Sequence, residues 1–285
     1  MNKLATAICA ATLSVSGLAI AQDRFADVTI QTKALKGSVH MLTGQGGNIG
    51  VSAGDDGVLI IDDQFEPLAE KITAALGKLG SDKPQFIVNT HFHGDHTGAN
   101  AWFHSNKQST ILAHENVRVR LAKDDKSEQA ALPVITYQDG IKIHFNNETL
   151  HIWHLENGHT DGDSVIWFEE PDVLHTGDLF FNERFPFIDL KSGGSVDGYI
   201  SSVKSLLEKI DEDTVIIPGH GPLANKADYE AFLTMIERTL EIVNKHKEDG
   251  LTVDEIIEVG LGDEFSSWSW GFINEEKWIR TLYNG

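Results

Sequence analysis

The chain has 285 residues and a formal charge of −20, with 43 acidic side chains against 23 basic ones. A surface that negative repels phosphate backbones, so no nucleic-acid partner is expected. The one cysteine, Cys9, lies in an apolar N-terminal segment, which leaves the rest of the chain without a thiol for a disulfide, a nucleophile or a metal ligand. In chain order, Lys3, the apolar run 4–20 and the small-x-small triplet Ala19-Ile20-Ala21 predict a secretory signal peptide over residues 1–21. Polar Gln22, Asp23 and Arg24 follow at once, and no later apolar run is long enough to cross a bilayer. The expected product, residues 22–285, is periplasmic or secreted, with no stable membrane insertion once the signal is removed.

Strand-like runs then alternate with helical patterns. Val58-Leu59-Ile60-Ile61 reads as a strand buried on both faces. Pro67 opens a helix whose apolar side is Leu68, Ile72, Ala75, Leu76 and Leu79, and Gly80 stops it. Phe86-Ile87-Val88 and Ile111-Leu112-Ala113 are further strands, with helices expected over 98–104 and 115–121. Runs at 141–145, 150–155, 164–168 and 173–175 are separated by turns and predict an antiparallel meander. Beyond it come a helix over 196–210, a strand Val215-Ile216-Ile217, and a long helical pattern from Tyr229 to Gly250. Thr252 with Glu255 forms a capping-box signature for one more helix. No repeat or linker interrupts this order, so residues 22–285 read as a single α/β domain with a helical C-terminal segment.

The stretch NTHFHGDHTGAN, residues 89–100, places three histidines and an aspartate within six residues directly after an apolar strand. Side chains two apart on an extended segment point the same way, so His91 and His93 are expected to reach one cation together. A turn at Gly94 lets Asp95 and His96 face a second position. The buried stem Phe86-Ile87-Val88 supplies a rigid base for these ligands. Two histidines do not complete a tetrahedral site. Three further candidates stand beside glycine at predicted strand ends: His159, Asp178 and His220. The other eight histidines carry no ligand pattern. His151 and His154 read as surface or satisfied core residues, and His175 as a packed strand residue.

The order HxHxDH, then GH, GD and GH, resembles the metallo-β-lactamase superfamily of dinuclear metallohydrolases. The resemblance extends to the early Gly46-Gly47-Asn48 loop and the strand leading to Asp62. It implies a four-layer αββα sandwich with the metals in a groove at one edge of the two sheets. It further implies that His91, His93 and His159 bind one metal and that Asp95, His96 and His220 bind the other. Asp178 would bridge the two, and Asp62 would support the ligands from behind.

Histidine and carboxylate ligands without thiolate suit zinc, and also iron or manganese. Two Zn(2+) per chain are the expectation. A bound cation lowers the pKa of water from 15.7 to about 7, and Asp95 is expected to orient that water and pass a proton to the leaving atom. The fold does not decide the substrate. Lactamases of the Asp-His type match at Asp95-His96 and usually lack an aspartate at the position of Asp178. Acyl-homoserine lactonases place a tyrosine three residues after the bridging aspartate, where this chain has Phe181. Glyoxalase II-like thioesterases add a basic C-terminal domain, and few basic residues follow His220 here. The expectation is an exported zinc hydrolase of a small cyclic amide or ester, with a β-lactam the first substrate to test. Lactonase and thioesterase activity are the nearest alternatives, followed by a mononuclear iron persulfide dioxygenase and a non-catalytic zinc buffer. Arg184 or Lys191, in the loop 182–194, is expected to anchor a substrate carboxylate. The glycine-rich loop 42–48 is either a flap or a hairpin turn, and Trp268, Trp270 and Trp278 either close a core or form a subunit interface.

Overall fold

Two sheets face each other in the computed structural model, which describes residues 24–125 and 127–285. The expected signal peptide lies outside the described residues. The first sheet has seven strands in sequence order: β1 (Gln31–Ala34), β2 (Val39–Thr43), β3 (Ile49–Gly54), β4 (Gly57–Ile61), β5 (Pro84–Val88), β6 (Thr110–His114) and β7 (Ile135–Tyr137). Its strands run antiparallel as far as β4 and parallel from there on. The second sheet has five strands in the order β12 (Val215–His220), β11 (Val173–Phe181), β10 (Ser164–Phe168), β9 (Glu148–His154) and β8 (Gly140–Phe145). The run from β8 to β11 is the expected antiparallel meander, and β12 joins β11 in parallel.

Alternation along the strands sorts the apolar side chains into three layers of core. On β4, Val58 and Ile60 face outward onto α1 (Ala69–Gly77), where Ile72 and Leu76 of the helix and Leu68 just before it meet them. Leu59 and Ile61 face inward and pack with Leu150, Ile166, Val173 and Ile217 of the second sheet. On the far side, Leu174, Val165 and Ile216 pack against α5 (Val196–Leu207), α6 (Lys226–Glu248) and α8 (Glu275–Asn284). Helix, sheet, sheet, helix is the four-layer order expected. At roughly 1.5–3 kcal/mol for each fully buried large side chain, these layers supply the main drive for folding.

The remaining helices are α2 (Gly94–Thr97), α3 (Asn100–Lys107), α4 (Glu115–Lys123) and α7 (Val253–Val259). The Thr252–Glu255 capping box is formed as its sequence signature predicts. Among the described residues, no helix is long and apolar enough to cross a membrane. One difference from the expected elements bears on the site. The strand expected to stop at His175 runs on to Phe181, because Gly177, with φ +51°, bends β11 without ending its pairing with β12. Trp278 is fully buried against Phe185 and donates Nε1 to Thr239 at 3.0 Å, so it closes the core. Trp268 packs on the same core.

Candidate metal centre

The strand ends and the β9–β10 connection meet at one edge of the two sheets and gather the seven predicted side chains there. His91, His93, His159 and Asp178 form one group of potential ligands, and Asp95, His96 and His220 form the other. His91 and His93 do converge, but from a bend after β5 rather than an extended segment. Asp95 and His96 lie on the single-turn helix α2, whose first residue is Gly94. His220 is the last residue of β12. Asp178 lies within β11 rather than after it, and Tyr199 and Tyr229 brace that strand by donating to the Asp178 and Leu179 carbonyls.

Four of the five rings have an outer partner that fixes the tautomer. His96 Nδ1 is 2.7 Å from Asp62 Oδ2, a carboxylate oxygen that only accepts. His159 Nδ1 donates to the Phe187 carbonyl at 2.7 Å, and His93 Nε2 faces Asp189 Oδ2 at 3.2 Å. Thr90 Oγ1 donates to Asp62 Oδ2, so it accepts from His91 Nδ1 at 3.0 Å. With these outward nitrogens protonated, the inward ones of His91, His93 and His159 present lone pairs. His93 Nδ1 then stands 3.1 Å from His91 Nε2 and 2.9 Å from His159 Nε2 with no proton between them. Burial keeps His91 well below the ordinary histidine range and His159 down to about 3, so both are neutral donors at neutral pH. Despite burial, Asp178 and Asp95 raise His96 well above the ordinary histidine range and His220 to about 9, so a cation entering the second group would take the place of their inward protons.

Asp178 lies between the two groups. Its Oδ2 is 3.7 Å from His91 Nε2 and 3.4 Å from His159 Nε2, while its Oδ1 is 3.1 Å from His96 Nε2 and 3.4 Å from His220 Nε2. Burial alone would raise its pKa, but His96, His220 and His91 hold it well below the usual carboxylate range. Oδ1 is nevertheless buried without a hydrogen-bond partner. A buried carboxylate oxygen without a hydrogen-bond partner, 3.1 and 3.4 Å from two imidazole nitrogens, is what a cation would resolve, and nitrogen and oxygen donors without sulfur fit zinc, iron or manganese. Asp95 is 29% exposed. Burial opposes its ionisation, yet His96 and His220 bring its pKa down to about 2.

Local backbone makes this approach possible. Asp62, at φ +63°, turns its carboxylate beneath His96 while its N–H still bonds the Val88 carbonyl. A Cβ on Gly47 would fall 2.2 Å from the His96 ring, and one on Gly219 would fall 2.1 Å from Asp178 Oδ1. The 42–48 loop is tied down: Asn48 donates to the Pro218 and Gly221 carbonyls at 2.8 and 3.0 Å, and Gln64 donates to Gly47. That favours a fixed hairpin turn over a flap.

A groove of about 820 Å³ opens over the centre, with Asp95, Phe181, Trp270 and Arg184 among its lining residues. Arg184, half-buried, lies over the Trp270 ring at 5.1 Å. Lys191 is exposed in the 3-10 turn Leu190–Ser192 and does not line the groove, because Asp189 caps that turn and directs it outward. Of the two candidate carboxylate anchors, Arg184 lies in the groove and Lys191 outside it. Sequence reading missed Thr90, Asp189 and Asp163, and it took Trp270 for a core or interface residue rather than one lining the groove. The Asp163 carboxylate accepts from the His159 and Thr160 N–H groups and shapes the turn that presents His159, and burial pushes its pKa up to about 7. His154 stacks on His114 at 3.9 Å and bonds the Asp163 carbonyl, as a satisfied residue would.

Comparison with known proteins places this geometry. The profile of the metallo-beta-lactamase superfamily matches residues 42–220. A hydroxyacylglutathione hydrolase of Polaromonas sp. is 27% identical over 163 residues, 56% of this chain and 57% of that protein. A metallo-beta-lactamase type 2 of a Bacillus species is 22% identical over 172 residues, 60% of this chain and 65% of that protein. The chain thus spans less than two thirds of the length of either relative. A solved metallo-beta-lactamase from Pontibacter korlensis superposes with a TM-score of 0.64 at 16% identity, covering 73% of this chain and 99% of that one, a likeness of fold alone.

Proposed function

Because the chain belongs to the metallo-beta-lactamase superfamily, we propose that it is an exported dinuclear zinc hydrolase of a small cyclic amide or ester, with a β-lactam the first substrate to test. The observation that carries this reading is the buried Asp178 carboxylate between two groups of inward-facing imidazoles, with its Oδ1 lacking a hydrogen-bond partner. His91, His93 and His159 would hold one cation, and Asp95, His96 and His220 the other, with one Asp178 oxygen toward each. Bound cations there supply Lewis acidity and make water acidic enough to attack at neutral pH.

The chain's own groups do the rest. Asp95 is ionised and partly open to the groove, so it can accept a hydrogen bond from an attacking water, orient it, and carry its proton towards the leaving atom. Phe181 and Trp270 offer an apolar wall for the substrate body. Arg184 offers a planar pair of donors for a carboxylate. A β-lactam combines an apolar bicycle with a carboxylate and suits that pairing. The relatives named for hydroxyacylglutathione and for β-lactams set the two bond types to compare.

The test is a panel of β-lactam, lactone and thioester substrates on the zinc-loaded chain, with metal content measured alongside. Two zinc per chain in protein purified from unsupplemented medium, and fastest turnover of a lactam by the zinc-loaded chain, support the reading. One iron per chain in the unsupplemented protein, or no turnover of any of the three, contradicts it.

A further inference from the structure

The chain has six arginines. Arg120, Arg238 and Arg280 pair with Asp161, Glu264 and Asp254, and Arg118 donates to the Pro133 carbonyl. Arg24 and Arg184 are the two whose guanidinium groups have neither a carboxylate nor a carbonyl partner among the described residues, and both line the groove. In a chain with 43 acidic residues, partners for a cation are plentiful. Two unpaired guanidiniums in one cavity therefore call for an anion from outside.

Each lies over aromatic rings, and Glu183, the carboxylate that acts on Arg184, does so without forming an ion pair. Arg24 lies 4.6 Å over Phe25 and 5.1 Å over Phe65, and Arg184 lies 5.1 Å over Trp270. No ring supports both. Phe65 lies against the Gly46 side of the groove and Trp270 against the His220 side, so the two cations stand on different halves of the rim. Arg24 is also well anchored. Phe25 beneath it is buried, and Lys71 Nζ ties down the carbonyls of Phe25, Ala26 and Val28 at 2.9, 2.7 and 2.7 Å.

We propose that the groove takes a dianionic ligand, a molecule with two carboxylate-type groups joined by an apolar body, one group on Arg24 and the other on Arg184. The inference rests on the hydrolase reading for the claim that the ligand is a substrate, whereas its binding does not require turnover. The aromatic side chains between the arginines receive the body, and the two anions flank the bond presented to Asp95.

Calorimetry on the zinc-loaded chain tests this, with biphenyl dicarboxylate and its monomethyl ester as probes. The dicarboxylate should bind at least about tenfold more tightly, the effect of one added charge-assisted contact. Arg24→Gln and Arg184→Gln should each bring the dicarboxylate down to the level of the monoester, which can still use the remaining arginine. Arg24 is exposed, so its variant should melt as the unaltered protein does. If Arg184→Gln fails to fold, Arg184→Lys, which keeps the stem and charge but not the planar fork, should show an intermediate preference. No preference in the unaltered protein, or a preference untouched by either substitution, overturns the proposal. Failure of the hydrolase reading would look different, with the binding pattern intact and no turnover.

Discussion

His91, His93 and His159 each have an acceptor on the ring nitrogen that faces away from the centre, while in the second group only His96 does. Among the described residues His220 has ring neighbours instead, Phe181 stacked at 5.0 Å and Trp270 at 6.1 Å. Asp95, the remaining member of that group, is partly exposed to the groove. Outer hydrogen bonds fix ring orientation and raise ligand basicity. The first group is therefore built for retention, and the second combines weaker support with a carboxylate free to handle protons.

The comparison breaks or sharpens under substitution. Asp95→Asn should have the largest effect, lowering turnover by about 10²–10⁴-fold while metal analysis still finds the cation of the first group. Loss of both cations would show that the groups are not separate. Next, Asp62→Asn removes the acceptor shared by His96 and, through Thr90, His91. Metal affinity should fall about 10–100-fold, more at the second group, where the contact is direct. Chelator titration monitored by metal content reads this out. Asp189→Asn touches only His93 and should weaken the first group alone, by about tenfold at the lower end of that range. An equal loss from both groups would count against the assignment of outer partners. The smallest effect is expected for Lys191→Met, with KM for an anionic substrate unchanged within about twofold. A KM rise matching that of Arg184→Gln would return Lys191 to the groove.

The two groups were unequally legible in the sequence. The cluster His91, His93, Asp95 and His96 declares itself through close spacing after an apolar strand. His159, Asp178 and His220 were found through the family pattern and their glycine neighbours. Close packing shows why glycine recurs there: a Cβ on Gly219 would meet Asp178, one on Gly177 would meet Thr90, and one on Gly158 would meet Leu179. The outer partners left no such trace. Asp189 meets His93 across 96 residues, and the acceptor for His159 is a backbone carbonyl, which any residue at position 187 would supply. Arg24 reads locally as a polar flank to an apolar segment, and its place in the groove depends on Phe25 and Lys71 folding the strap back. Lys191 is the opposite case: proximity in sequence to a ligand suggested a role, while the fold leaves it exposed on a capped turn outside the groove.

An anomalous-scattering map at the zinc edge, from crystals of the zinc-loaded chain, tests the central claim most directly. The account predicts two peaks on either side of the Asp178 carboxylate, one among His91, His93 and His159 and one among Asp95, His96 and His220. A single peak, or a carboxylate of Asp178 turned away from both groups, would contradict it.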